Sequence, residues 1–310
     1  MIPEFPDFRP LVLDDKPLFD RLFAESQPEV SQYTFTNIFA WRKGRNTRVS
    51  QLENIVLVSL DLPDRLVFLE PLGEGDQRGA MEKCLRLEWG RPVEFKYLSW
   101  NTAALFQGDP GHEVLSDRDN SDYLYNAQDL IDLPGRKYDA KRNFIKRFSS
   151  EHDYRYLEVT PELAKQCLEF EEHWCLDRSC QSDEGLSHER EAVVEMLENY
   201  TALSSTATGY RLSPAGFGLR GGAIEVGGSI VAFELGEALS EETLVVHVEK
   251  ADAKLVGVYA VINNEFCRHE AKRFKYVNRE QDLGIPGLRQ AKQSYNPVRL
   301  VETFRVRRAS

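Results

Sequence analysis

In the run TLVVHVEK, His247 and Glu249 stand two residues apart. On a strand they share one face and Lys250 takes the other. An amine or hydroxyl that attacks an ester must lose a proton, and a Glu or His within hydrogen-bond reach is the usual base. Glu249 is the first candidate for that base, with His247 orienting it or sharing the proton. A strand-end ion pair of Glu249 with Lys250 or Arg279 is the structural alternative.

A second concentration of polar residues lies in YVNREQDLGIPGLRQAKQSYNP, residues 276–297. Asn278, Arg279, Glu280, Gln281 and Asp282 follow one another without a break. Arg279 suits bidentate binding of a carboxylate or phosphate. A short helix starting near Pro286 offers free N–H groups to an anion, and Arg289 and Lys292, three apart, share a face of it. Asn278 and Tyr295 bracket this set of candidate substrate-binding residues, with Lys250 on the neighbouring strand. The alternative is a solvated loop closing a strand–helix turn.

These residues need elements to position them. The chain has 310 residues, beyond the usual size of a single domain, so two domains are expected. Alternation and helical spacing predict, in the first half, helices over 16–25 and 31–42, a hairpin over 48–60 turning at Glu53–Asn54, a strand over 65–72, a helix over 77–89 and a strand over 93–100. The second half predicts a strand over 155–159 and helices over 161–177 and 187–200. A hairpin over 223–235 turns at Gly227-Gly228, and a strand covers 243–250. A helix over 253–272 carries Val256, Ala260, Ile262 and Phe266 inward. A strand over 274–278, a helix over 286–295 and a strand over 299–306 complete it. Each half therefore runs helix, helix, hairpin, strand, helix, strand. A basic helix over 139–148 bridges the halves, with Ala140, Phe144, Ile145 and Phe148 as its apolar stripe. Residues 204–217, small and turn-forming, read as a loop.

Charge is uneven. The formal net charge is −11, which argues against wholesale coating of nucleic acid. Yet residues 268–310 hold 11 bases and 4 acids, and residues 136–147 hold 6 bases and 1 acid. Such islands can sustain a local anion site whatever the total. Lys137, Lys141, Arg142 and Lys146 are candidate contacts for RNA phosphates or a lipid headgroup; a solvated helix face is the alternative.

Other chemistries find no pattern. His247-Val248-Glu249 lacks the Pro-Cys-x-x-Cys of a zinc deaminase. His173, Cys175 and Cys180 match no common zinc spacing, and no metal is expected. The five cysteines are scattered without a Cys-x-x-Cys, which predicts reduced thiols. No apolar run approaches the ~20 residues of a membrane helix, and no secretory signal opens the chain, so a cytoplasmic protein without an integral membrane segment is expected.

Several stretches carry a resemblance: SQYTFTNIFAWR (31–42), LPGRKYDAKRNFIKRF (133–148), HVEKAD (247–252), INNEFCR (262–268) and YVNREQDLGIPGLRQAKQSY (276–295). Together with the element order, they resemble a bacterial family of unknown function that is similar to the C-terminal catalytic domain of phosphatidylglycerol lysyltransferases. The wider superfamily includes the Fem-type peptidoglycan aminoacyltransferases. The resemblance spans nearly the whole chain. It implies an α+β fold of two tandem GNAT (N-acetyltransferase)-like domains, each a mixed, mostly antiparallel sheet flanked by helices. The expected division is 1–135, a linker helix over 136–150, and 151–310 carrying the site. The strands over 243–250 and 274–278 would be the pair that splays apart around the reaction. The activity implied is acyl or aminoacyl transfer to an amine or hydroxyl. The donor would be aminoacyl-tRNA, its amino group held by Glu280 and Asp282, and the acceptor a small molecule, peptide or lipid headgroup. The readings beside it are an acyl-CoA-dependent N-acyltransferase and a binding or regulatory protein that has kept the fold. No tightly bound cofactor is implied. Acetyl-CoA-using members carry a basic-x-x-Gly-x-Gly/Ala loop; here Lys254–Tyr259 is its nearest equivalent, with Tyr259 where a small residue belongs.

Overall fold

The computed structural model describes residues 1–205 and 218–309. From residue 206 on, the loop expected over 204–217 lies outside the described residues. The strands run β1 (Arg9–Pro10), β2 (Thr47–Leu52), β3 (Ile55–Asp61), β4 (Leu66–Phe68), β5 (Val93–Leu98), β6 (His112–Ser116) and β7 (Asp122–Asn126). They continue as β8 (Tyr154–Glu158), β9 (Arg220–Val226), β10 (Ser229–Ala238), β11 (Thr243–Ala251), β12 (Tyr276–Asn278), β13 (Arg299–Val301) and β14 (Phe304–Arg308).

They build two seven-stranded sheets, in the orders β1-β2-β3-β4-β5-β14-β6 and β13-β7-β12-β11-β10-β9-β8. Each sheet contains a parallel pair, β4 with β5 and β11 with β12. A parallel pair needs a crossover, and a helix supplies it in each case: Gln77–Arg86 and Val258–Glu270. This is the mixed, mostly antiparallel, helix-flanked α+β architecture of tandem GNAT-like domains. The chain falls into two compact units, one of Met1–Asp122, Gln281–Pro286 and Leu300–Ser310, the other of Tyr123–Glu280 and Gly287–Arg299.

Local chemistry explains most boundaries. Gly227 and Gly228 both take positive φ (59° and 83°), as a two-residue hairpin turn requires. Thr160 caps helix Pro161–Asp177 by accepting from Leu163 N at 3.2 Å, with Pro161 at its first position. In the first unit, Phe68 stacks on Phe95 at 5.3 Å among Leu57, Met81, Cys84 and Val306. In the second, Phe148, Ile224, Ala232, Val258, Val261 and Ile262 form a buried cluster between helix Val258–Glu270 and the sheet.

Several expectations change. The helix over 31–42 shortens to Phe35–Ala40, because the Thr34 side chain caps it by accepting from Asn37 N. Helix 253–272 begins only at Val258, since Gly257 sits at φ +98°; Val256 is thus outside it and exposed rather than core. Phe144 is exposed too. The strand over 299–306 is two strands, β13 and β14, each in a different sheet. The units part at Asp122 rather than at 135, and helix Asp139–Glu151, read as a linker, packs against helix Val258–Glu270 inside the second unit. Strands β1, β6 and β7 were not anticipated. Cys175 and Cys180 form a disulfide, Cα atoms 5.2 Å apart, which overturns the expectation of reduced thiols at that pair; Cys84, Cys167 and Cys267 are free and buried. Among the described residues, no helix is long and apolar enough to cross a membrane.

Candidate active site

β11 and β12 pair in parallel only over Thr243–Val245 and Tyr276–Asn278. β11 runs on to Ala251, whereas the chain turns away after Asn278. His247 and Glu249 therefore lie just past the point where the two strands separate. Asn278, buried at that point, turns the chain by accepting from Glu280 N at 2.8 Å.

Arg279 bridges the opening. Its Nη2 donates to Glu249 Oε2 at 2.6 Å, with the side chains 11% and 17% exposed. The guanidinium lies 4.4 Å from the Tyr295 ring centroid and 5.6 Å from that of Tyr125. Burial opposes its charge, but Glu249 and the surrounding phenols outweigh burial and hold it protonated. Lys292 reaches back to donate to the Arg279 carbonyl, and Lys292 O accepts from Tyr125 Oη at 2.8 Å. Arg279 Nη1 is buried without a hydrogen-bond partner. The ion pair held as the structural alternative for Glu249 is thus present, and with it an unused donor.

His247 is no base. Its Nδ1 contacts Glu280 Oε1 at 2.8 Å and its Nε2 contacts Glu237 Oε1 at 3.0 Å, so both ring nitrogens face carboxylates and carry protons. Burial alone would lower its pKa; the two hydrogen bonds and the two charges together raise it to about 9. With its two ring nitrogens turned to Glu280 and Glu237, His247 has the geometry of an orienting group rather than of one that shares a proton with Glu249. It contacts Glu280, which sits in the left-handed region at φ 55° in the turn that carries Arg279.

Behind the ion pair lies a residue the sequence reading missed. Glu234 on β10 stands in direct register with Glu249 on β11. It is fully buried, and neither carboxylate oxygen has a hydrogen-bond partner. Asn263 of helix Val258–Glu270, also fully buried, approaches the Glu234 carboxyl, but neither of its amide atoms reaches hydrogen-bond geometry. Burial first, then the Glu249 charge, push the Glu234 carboxyl well above the usual range; Arg279 and Asn263 oppose them more weakly. An acid in the otherwise apolar run SIVAFELG was the available signal.

The remaining candidates divide. Tyr295 and Lys292 join Arg279. Lys141, read as an RNA contact, joins them too: its Nζ lies 3.7 Å from the Tyr295 ring centroid and donates to Ser294 Oγ at 2.8 Å. Burial, and next the Arg279 charge, lower it to about 8. Lys250 points to the opposite face, as the alternation predicts, to Glu189 at 3.0 Å and over the Trp174 ring at 3.7 Å. Glu280 serves His247. Asp282, in the first unit, bonds Arg118 at 3.2 Å and accepts from Gly284 N at 2.9 Å. Glu280 and Asp282 thus have different partners, and each belongs to a different unit. Arg289 is half-buried on helix Pro286–Gln293. Lys137 pairs with Asp129 at 2.8 Å; Arg142 donates to the Gly135 carbonyl at 2.9 Å and to Asp139; Lys146 is exposed. At the expected cofactor loop, a Cβ on Gly257 would stand 2.4 Å from the Phe144 carbonyl oxygen, and Lys254 is bonded to Asp177. Among the described residues, no His, Cys, Asp and Glu group is placed to hold a metal.

A conserved protein of unknown function from Bacteroides thetaiotaomicron shares 33% identity over 99% of both chains, with a TM-score of 0.86. L-PGS from Bacillus licheniformis, at 16% identity, superposes over 99% of this chain and 94% of its own with a TM-score of 0.60. FemX, at 8% identity, does so over 96% of each with a TM-score of 0.54. These last two show the shared fold. No curated protein matches the chain. Residues 23–307 match the family described as phosphatidylglycerol lysyltransferase, C-terminal, and the chain belongs to that family.

Proposed function

We propose that this protein transfers an aminoacyl group from tRNA to an amine or hydroxyl acceptor, with the reaction at the Arg279–Glu249 pair. The observation that carries the reading is the half-used guanidinium. One arm of Arg279 holds Glu249 and the other is a buried donor with nothing to bond, at the place where β11 and β12 part. A carbonyl oxygen gaining negative charge needs such a fixed donor. Glu249 is then the base for the acceptor, freed as Arg279 turns toward the substrate oxygen. His247 keeps the turn in place, and Tyr295 and Tyr125 flank the guanidinium. Family membership supports transferase chemistry. An acyl-CoA donor is disfavoured by the close packing of Gly257 against Phe144, where a pyrophosphate would need the backbone. Use of aminoacyl-tRNA would place the protein in the cytoplasm.

The test is consumption of aminoacyl-tRNA against consumption of acetyl-CoA in the presence of mixed amine and hydroxyl acceptors. Acceptor-dependent loss of aminoacyl-tRNA, abolished by Glu249→Gln in a protein that still folds, is expected. Turnover of acetyl-CoA alone would overturn the reading.

A further inference from the structure

Two acids and one guanidinium share one sheet face in the second unit. Glu234 and Glu249 are directly opposite on adjacent antiparallel strands, a placement in which like charges repel. Arg279 bonds Glu249 alone. Glu234, Asn263 and Arg279 Nη1 are all buried and all lack hydrogen-bond partners. Buried polar groups are ordinarily satisfied, because each one left unmade costs about 1–3 kcal/mol. Glu234 and Asn263 behind the Glu249–Arg279 pair, together with Arg279 Nη1 in it, have the composition of a recognition site. Its acceptors are a carboxyl and an amide oxygen, and it has one more acid than base.

We infer that Glu234 receives the ammonium group of the ligand, with the Asn263 amide oxygen as second acceptor and Arg279 Nη1 on the adjoining carbonyl oxygen. The ligand class is an α-amino acyl compound, whose ammonium and carbonyl are separated by one carbon. This deepens the transfer reading, on which it rests, by naming what holds the donor's amino end in place of Glu280 and Asp282. It also has a proton consequence. The groups facing Glu234 are Glu249 on β11, Arg279 beyond β12, Asn263 and Cys267 on helix Val258–Glu270, Tyr156 on β8, and Tyr295. With one cation among them already committed to Glu249, Glu234 is uncharged when no ligand is bound. Arrival of an ammonium converts Glu234–COOH to the carboxylate, and its proton goes to solvent. Counted from the ammonium form, one proton is released per ligand bound.

L-alaninamide and propionamide differ only by the ammonium and serve as probes on the whole chain. Calorimetric titration in buffers of different ionisation enthalpy at pH 7 counts the protons released. Alaninamide is expected to bind at least tenfold more tightly than propionamide and to release close to one proton. Glu234→Gln is expected to lose both the preference and the release. Equal binding of the two amides, absence of alaninamide binding, or binding without proton release each overturns the assignment, and the comparison of amides needs no variant to fold. The outcome is separable from that of the transfer reading. Alaninamide binding with proton release but no consumption of aminoacyl-tRNA keeps the ammonium site and removes the transfer. Equal turnover of aminoacyl-tRNA and its N-acetyl derivative keeps the transfer and removes the site.

Discussion

Glu249 and Glu234 are neighbours in register across β10 and β11, yet only Glu249 has a guanidinium bonded to it. The asymmetry gives the two carboxylates different surroundings: one is paired with Arg279 and partly exposed, the other is fully buried with its carboxyl pushed well above the usual range. Mutations that disturb Arg279 should therefore act on both.

Removing the guanidinium leaves Glu249 uncompensated and takes away the cation that moderates Glu234. Breaking a buried pair by deleting one partner costs about 3–5 kcal/mol, less here because both side chains retain some exposure. Arg279→Ala is expected to lower unfolding free energy by roughly 2–3 kcal/mol in denaturant titrations. Adding Glu249→Gln should restore most of that stability but no transfer activity. A double variant no more stable than the single would show that the pair is not the source of the loss.

His247 gives a pH signature. Its folded pKa of about 9 lies above the ordinary 6.5, so the folded protein holds the proton more tightly than the unfolded chain. The stabilisation is complete below 6.5 and disappears as pH rises through 9, and amounts to on the order of 3 kcal/mol. Lys141, lowered to about 8, works in the opposite direction between 8 and 10.5. The difference between the wild type and His247→Gln cancels the lysine. That difference in unfolding free energy should shrink steadily from pH 6.5 to pH 9; a difference independent of pH would mean a neutral ring.

Gly257 permits the close approach of two helices. At φ +98°, with the Phe144 carbonyl oxygen 2.4 Å from where a Cβ would sit, alanine is both strained and obstructed. Gly257→Ala is expected to lower stability by about 2 kcal/mol or more, through local strain and displacement of helix Asp139–Glu151. Thermal unfolding reads the loss, and an unchanged midpoint would place that carbonyl elsewhere.

The Cys175–Cys180 disulfide closes a short loop, with a sequence separation of 5. Loop-closure entropy for so short a span gives about 2 kcal/mol. A reducing agent should lower the unfolding midpoint of the wild type by a few degrees and leave Cys180→Ser unaffected. Identical responses would show the thiols to be unlinked.

Most of the architecture was legible because local signals and tertiary demands agreed. Gly227-Gly228 announces its hairpin, and Thr160-Pro161 its helix. Where the two diverged, the sequence misled. RLVETFRV alternates like one strand, but it divides between two sheets, a tertiary choice that no eight-residue pattern encodes. The candidate site was half legible. Arg279 with Glu249 was weighed as an ion pair, and it is one. His247 was expected to orient Glu249 or share its proton because residue type shows a titratable ring but not its two carboxylate neighbours, of which Glu237 comes from another strand. Glu234 was passed over because an acid inside an apolar strand looks like an exposed face until its burial is known.

Strand order has one more consequence, for synthesis. β14 lies between β5 and β6 in the first sheet, although some two hundred residues separate it from them in sequence. The early-made strands cannot complete that sheet until residues 304–308 have been synthesised. The second sheet, by contrast, takes β7 from upstream and has β7–β12 in hand once residue 278 has emerged. Folding on the ribosome should thus run against the usual N-to-C order: the later-encoded sheet assembles while the earlier-encoded one waits with an open gap, exposed to chaperones and proteases until β14 has emerged.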